Sequence, residues 1–112
     1  MIDIINLTPH TIKLNNGKTF PPSGTIARVS AKFTYVTSPE LMREGIYVYK
    51  VEYGEIEGLP EPQENVLYIV SAMVLEAGEI IGRNDLIAPA TGHPKAIRNE
   101  QGQIVSVPGF VF

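Results

Sequence analysis

Apolar and polar positions alternate in short stretches along this chain, with turn residues between them. The longest apolar run, Val66-Leu67-Tyr68-Ile69-Val70-Ser71-Ala72-Met73-Val74-Leu75-Glu76-Ala77, lies just past the midpoint. Val66 to Val70 is β-branched and aromatic, as a buried strand is, whereas Ser71 to Ala77 is richer in helix formers. This pattern predicts a strand that passes directly into a short helix, with Ser71 at the junction as N-cap and Gly78 as terminator.

The flanking stretches read mostly as strands. Ile2 to Asn6 is a first strand, broken at Thr8-Pro9-His10 because proline has no N–H for a ladder. Thr11 to Leu14 alternates, and Asn16-Gly17 suits a type I′ hairpin turn into Thr19-Phe20. Thr25 to Ser30 alternates again and Lys32 to Val36 continues it. Ser38-Pro39 opens a loop or a single helical turn that Gly45 closes. Ile46 to Tyr53 has the highest strand propensity, with Tyr47, Tyr49, Val51 and Tyr53 on one face. That tyrosine row is a core or subunit face, and Gly54-Glu55 is a tight turn into Ile56-Glu57. Gly58 to Asn65 is a Pro-stiffened loop. Leu86 to Pro89 is a short strand, and Asn99 to Gly102 is the turn of a last hairpin. About eight short strands and one or two short helices predict an α+β, β-rich fold: a small curled or barrel-like mixed or antiparallel sheet, in a single domain over residues 1–112.

Composition narrows the function more than the fold. Net charge is −3, which argues against bulk nucleic acid but leaves room for a small anion, since two or three arginines suffice for one phosphate. There is no cysteine, so disulfides, thiol catalysis and cysteine zinc sites are excluded and a reducing cytoplasm is the expected compartment. The N-terminus lacks a basic n-region, and the central run is too short to span a membrane. Charge is uneven. Residues 1–36 are mostly basic and residues 37–64 carry seven glutamates. Solvated strand faces account for this, or a basic face of one subunit meets an acidic face of another in a homo-oligomer.

Few residues stand out for chemistry. There is no nucleophile motif, dinucleotide fingerprint or metal-ligand spacing, so no cofactor and no metal are expected. Arg28, Arg83 and Arg98 are candidates for bidentate phosphate contacts, against the alternative of salt bridges with the glutamates; Arg83 and Asp85 alone make a plausible pair. Thr8, His10, Ser71, Thr91 and His93 are supplementary polar candidates in turns and at strand ends. Ser71 is either an ordinary cap or the floor of an anion site.

Several stretches, in order, resemble a small uncharacterised family of bacterial and phage or prophage proteins. They are Asn6-Leu7-Thr8-Pro9-His10, Pro21-Pro22-Ser23-Gly24 with Ala27-Arg28-Val29, Gly58 to Pro62, Leu67 to Ala72, Arg83 to Pro89 and Ile97 to Ile104. The resemblance carries over no catalytic residue. It implies a phage-type role, and by analogy with small anti-defence proteins it leads to the expectation of a non-enzymatic protein that sequesters an anionic nucleotide-derived signal. The alternatives are an accessory factor that binds a host or phage protein and, less favoured, a nucleotide-processing enzyme. The segment Glu79 to Gly82 departs from the polar linker such relatives would have, which leaves the helix end open.

Overall fold

A computed structural model describes residues 1–112. In chain order the elements are β1 (Asp3–Asn6), β2 (Ile12–Lys13), β3 (Thr19–Phe20), β4 (Arg28–Tyr35), α1 (Pro39–Arg43) and β5 (Tyr49–Glu57), followed by β6 (Val66–Ile69), α2 (Ala72–Ile80), β7 (Leu86–Pro89), β8 (Ile97–Arg98), β9 (Ile104–Ser106) and β10 (Phe110–Val111). The fold is α+β and β-rich, as expected. Its sheets are mixed and antiparallel, and the main sheet stays open, in the order β1-β6-β7-β10.

The central run does what its pattern predicts. β6 lies between β1 and β7 and is parallel to both, and β10 adds an antiparallel edge. Buried on both faces, Tyr68, Ile69 and Val70 are fully enclosed, which is why the run is continuously apolar rather than alternating. Ser71 caps α2, its Oγ accepting from the Val74 amide at 3.3 Å. The core is small: Leu7, Ala27, Tyr68, Val70, Val74 and Leu86. The Tyr68 hydroxyl donates to the Glu61 carbonyl at 3.2 Å, which ties the proline-stiffened loop to this core.

Two expectations are corrected. Gly78 does not end α2; it lies inside the helix, where Leu86 of β7 packs so closely that a Cβ would run into its side chain. Gly82 ends the helix instead. At φ +83° it lets the Gly82 amide reach the Glu79 carbonyl and the Arg83 amide reach the Gly78 carbonyl, at 3.1 and 2.9 Å, the paired bonds of a Schellman motif. Gly54-Glu55 is not a turn either. β5 runs through both, and a register shift opposite Ser30 bulges the strand there.

Three hairpins surround the main sheet. β2–β3 turns at Gly17 and β8–β9 turns at Gly102, both with positive φ. A third expectation is corrected here: Asn16 keeps negative φ, so the first turn is not type I′; Gly17 alone is left-handed, its amide donating to the Leu14 carbonyl at 2.9 Å. The two hairpins are joined where the Val107 amide donates to the Lys13 carbonyl and Ser106 Oγ donates to Asn15 Oδ1. The third, β4–β5, is an arm. Its root packs on α2 and the core through Val29 and Ile56. Beyond that it projects, with α1 at its tip capped by Ser38 and closed by Gly45, as predicted. The arm gives the chain extents of 55 × 38 × 21 Å and a radius of gyration of 17.1 Å. A compact chain of this length has a radius of about 13 Å. Within this hairpin Arg28 faces Glu57 and Lys32 faces Glu52 across the strands. No helix is long and apolar enough to cross a membrane.

Candidate functional site

Parallel pairing of β1, β6 and β7 brings their carboxyl ends to one side of the sheet. Chain leaving those ends builds a hollow of about 400 Å³, lined among others by Thr8, His10, Ser71 and Thr91. Four of the eight candidate residues therefore come together from three segments far apart in sequence. In open sheets with parallel strands this is where ligands are held, because the loops there are free to carry polar groups and helices begin there.

The β1 exit is fixed by Asn6, a residue the sequence reading passed over as a site candidate. Buried at 2% exposure, its amide nitrogen donates to the His10 and Phe20 carbonyls at 2.7 and 2.8 Å. Its carbonyl oxygen accepts from the Thr8 amide at 2.9 Å and from the Thr8 hydroxyl at 2.7 Å. Three of these four hydrogen bonds fold Thr8-Pro9-His10 back over the strand end, and the one to Phe20 ties β3 to it. Thr8 is consequently committed to shaping the turn, while the His10 ring is exposed beside the hollow. An Asn two residues before a Thr-Pro pair is an Asx-turn signal that was present in the sequence.

At the β6 exit, Ser71 and Ala72 line the floor. Ser71 Oγ spends a lone pair on its cap, and its O–H is left to donate. Ala72 and Met73, the first two amides of α2, have no intrahelical acceptor. At the β7 exit, Thr91 forms the wall, and the Arg98 guanidinium stands behind it. Arg98 donates to the Thr91 carbonyl at 3.2 Å and to the Gly102 carbonyl at 2.8 Å, which leaves the rest of its five N–H groups free. A second hollow of about 250 Å³ shares His10 and Thr91 with the first and adds Lys13 and Ser106. Lys13, on the alternating strand β2, is a cation that the sequence reading did not single out.

The other candidates lie elsewhere. Arg83 is bound bidentately to Asp85, with Nε to Oδ1 at 2.9 Å and Nη2 to Oδ2 at 2.8 Å, and Nη2 also donates to the Pro60 carbonyl. This pair is largely buried, with side-chain exposures of 15% and 11%. The hydrogen bonds from Arg83 hold the Asp85 carboxyl below its ordinary value against the opposing effect of burial. Arg83 thus clamps the Pro60 loop to the end of α2, the pairing alternative already visible in Arg83-Asn84-Asp85. Arg28 borders a small hollow with Ser30, Glu55 and Glu57 at the arm root. His93 is exposed in the loop after β7, its Nδ1 accepting from the Lys95 amide at 3.0 Å. Within one chain the three arginines expected to share a ligand do not gather: Arg28 and Arg83 border separate hollows that meet at Glu55, and Arg98 stands beside Thr91.

No group of three or more His, Cys, Asp or Glu side chains gathers where a metal ion would be held. No protein-family model, curated protein or solved structure matches the chain.

Proposed function

We propose that the chain is a non-enzymatic binding protein that captures a small anionic, nucleotide-like molecule in the hollow at the carboxyl ends of β1, β6 and β7. One observation carries this reading: Thr8, His10, Ser71 and Thr91, spread over more than eighty residues of sequence, line one cavity of about 400 Å³. Ligand sites span about 300–1,000 Å³, and a nucleotide falls within that range. The donors suit an anion. Ser71 O–H and Ala72 lie on the floor, Lys13 lines the adjoining hollow, and Arg98 donates to the carbonyl of the Thr91 wall. The His10 ring offers a face or an edge to a base or ribose. No hydrogen bond links the Ser71 hydroxyl to a histidine or carboxylate that would activate it, which supports binding over turnover. The resemblance to phage and prophage proteins supports a role in which the captured molecule is a nucleotide-derived signal of a host defence, held in the bacterial cytoplasm.

Calorimetric titration against ADP-ribose and cyclic mono- and dinucleotides tests this. The expected outcome is binding to at least one of them, weakened at least about tenfold in Arg98→Ala through loss of a charge-assisted contact, with the compound recovered intact. Absence of binding to every member of the panel refutes the reading; recovery of a cleaved product makes the protein an enzyme. The second reading, an accessory factor that docks on another protein, is favoured by the exposed apolar face of the β4–β5 arm.

A further inference from the structure

The β4–β5 arm has two unlike faces. Cross-strand partners share a face, so Phe33 with Val51 and Tyr35 with Tyr49 lie on one side, and Lys32 with Glu52 and Thr34 with Lys50 lie on the other. The second side is polar, as a solvated face should be. The first carries no charge from Ala31 to Tyr35 or at alternate positions from Tyr47 to Tyr53. Its rings touch edge to face, Phe33 against Tyr49 at 6.2 Å and Tyr35 against Tyr47 at 6.1 Å between centroids. Nothing within the chain covers it, and Phe33 and Tyr35 are each 63% exposed.

The same face is covered at its root. There Val29 and Ile56 pack on the core, and the Tyr53 hydroxyl donates to Glu76 of α2 at 2.7 Å. Where the cover stops, the C-terminal end of α2 leaves Ile80 and Ile81 bare beside Val51, around a hollow of about 260 Å³. The apolar surface thus continues from α2 along the arm to its tip, with a hollow at one end and two tyrosine rings, Tyr35 and Tyr47, at the other.

We infer that this surface is covered by the same surface of a second copy of the chain, the two arms lying face to face and antiparallel about a twofold axis near Val51. Three observations favour a second copy over an unlike partner. The knob at the tip and the hollow at the root belong to one chain and sit at opposite ends of one face, so a twofold satisfies both at once. The helix already occupies the root end, so a second arm lies down only in reverse, its tip towards Ile80 and Ile81. The arm's side of the face, Ala31, Phe33 and Tyr35 with Tyr47, Tyr49, Val51 and Tyr53, bears no charge to ask for a complementary one. The area also suffices for an interface. Four rings of about 150–250 Å² each, half to two-thirds exposed, supply about half of the roughly 800 Å² that each partner of a standard interface buries. Val51, Ile80 and Ile81 extend it. An isolated two-stranded hairpin is only marginally stable in water, so the arm gains from the second layer.

Sedimentation equilibrium of the full chain gives the test. The expected mass is two chains of 12.3 kDa, and the double substitution Tyr35→Lys with Tyr49→Lys raises the dissociation constant more than about a hundredfold, as loss of two central aromatic anchors does. The variant keeps the near-ultraviolet signal of the buried Tyr68. Val51→Cys, in a chain otherwise free of cysteine, links to its own copy through a short bis-maleimide, and Lys50→Cys on the polar face does not. A wild-type mass of one chain, a mass above two chains, a two-chain mass retained by the double variant, or equal linking from both faces each overturns the inference. A one-chain mass together with a stoichiometric unlike protein bound through Tyr35 and Tyr49 does so in favour of a heterologous partner.

Discussion

β6 and β5 are the two strongest strand signals in the sequence, and they end in opposite surroundings. Val66–Ile69 is enclosed on both faces at the centre of the sheet, with Tyr68 and Ile69 at 0% exposure. Tyr49–Glu57 lies in a two-stranded arm and is open over most of its length, with Tyr49 at 47%. Strand propensity does not separate them, since both are rich in β-branched and aromatic residues. The pattern does. A continuous apolar run is a strand between two layers; strict alternation is a strand with one layer, and it says nothing about which molecule supplies that layer. In the body α2 supplies it. In the arm, α2 reaches only as far as Tyr53.

If this contrast holds, substitutions in the body should cost stability by themselves, and those in the arm should act through association. The largest effect is expected for Tyr68→Ala, which opens a cavity beneath α2 and frees the Pro60–Glu61 loop. A loss of about 4 kcal/mol in urea unfolding is expected, at protein concentrations low enough to exclude association. Next comes Asp85→Ala, which leaves the largely buried Arg83 without its carboxylate and costs about 3 kcal/mol. The pair also sets an acid limit. The Asp85 carboxyl is held below its unfolded value of 3.8, so its contribution is fully present above that pH and is lost as pH falls through the lower folded value. Urea midpoints followed from pH 6 to pH 2 should therefore drop more steeply at the acid end for the wild type than for Asp85→Asn. Gly82→Ala places a Cβ at φ +83° and should cost about 1 kcal/mol. Smallest of all, Tyr35→Ser should change the unfolding free energy of the single chain by less than about 0.5 kcal/mol, despite removing a ring as large as that of Tyr68.

Local chemistry was well legible. The Gly17 and Gly102 turns, the Ser38-Pro39 cap, the Ser71 cap and the strand-to-helix passage at Val70 each depend on residues within a few positions, and each is in place. Gly78 and Gly82 were harder to separate, since both stand near a helix end. The choice is made by Leu86, which needs the space over Gly78, and that contact comes from the tertiary fold. Gly54 was misread for the same reason: a bulge and a turn use the same residue, and only the strand opposite tells them apart. For the candidate site, residue types were legible but the grouping was not. Thr8, Ser71 and Thr91 meet because β1 pairs in parallel with β6 across some sixty residues of intervening chain, a pairing no local pattern encodes. Arg83 shows the converse, since its partner was two residues away and its commitment was visible from the start.

Hydrogen–deuterium exchange on the full chain at two concentrations, one well below and one well above the association midpoint, tests the difference between body and arm most directly. Amides of β6 and α2 should be equally protected at both concentrations. Amides from Ala31 to Val36 and from Tyr47 to Tyr53 should exchange quickly in dilute protein and gain protection as concentration rises. Arm protection that is the same at both concentrations would contradict the assignment of that face to a second copy.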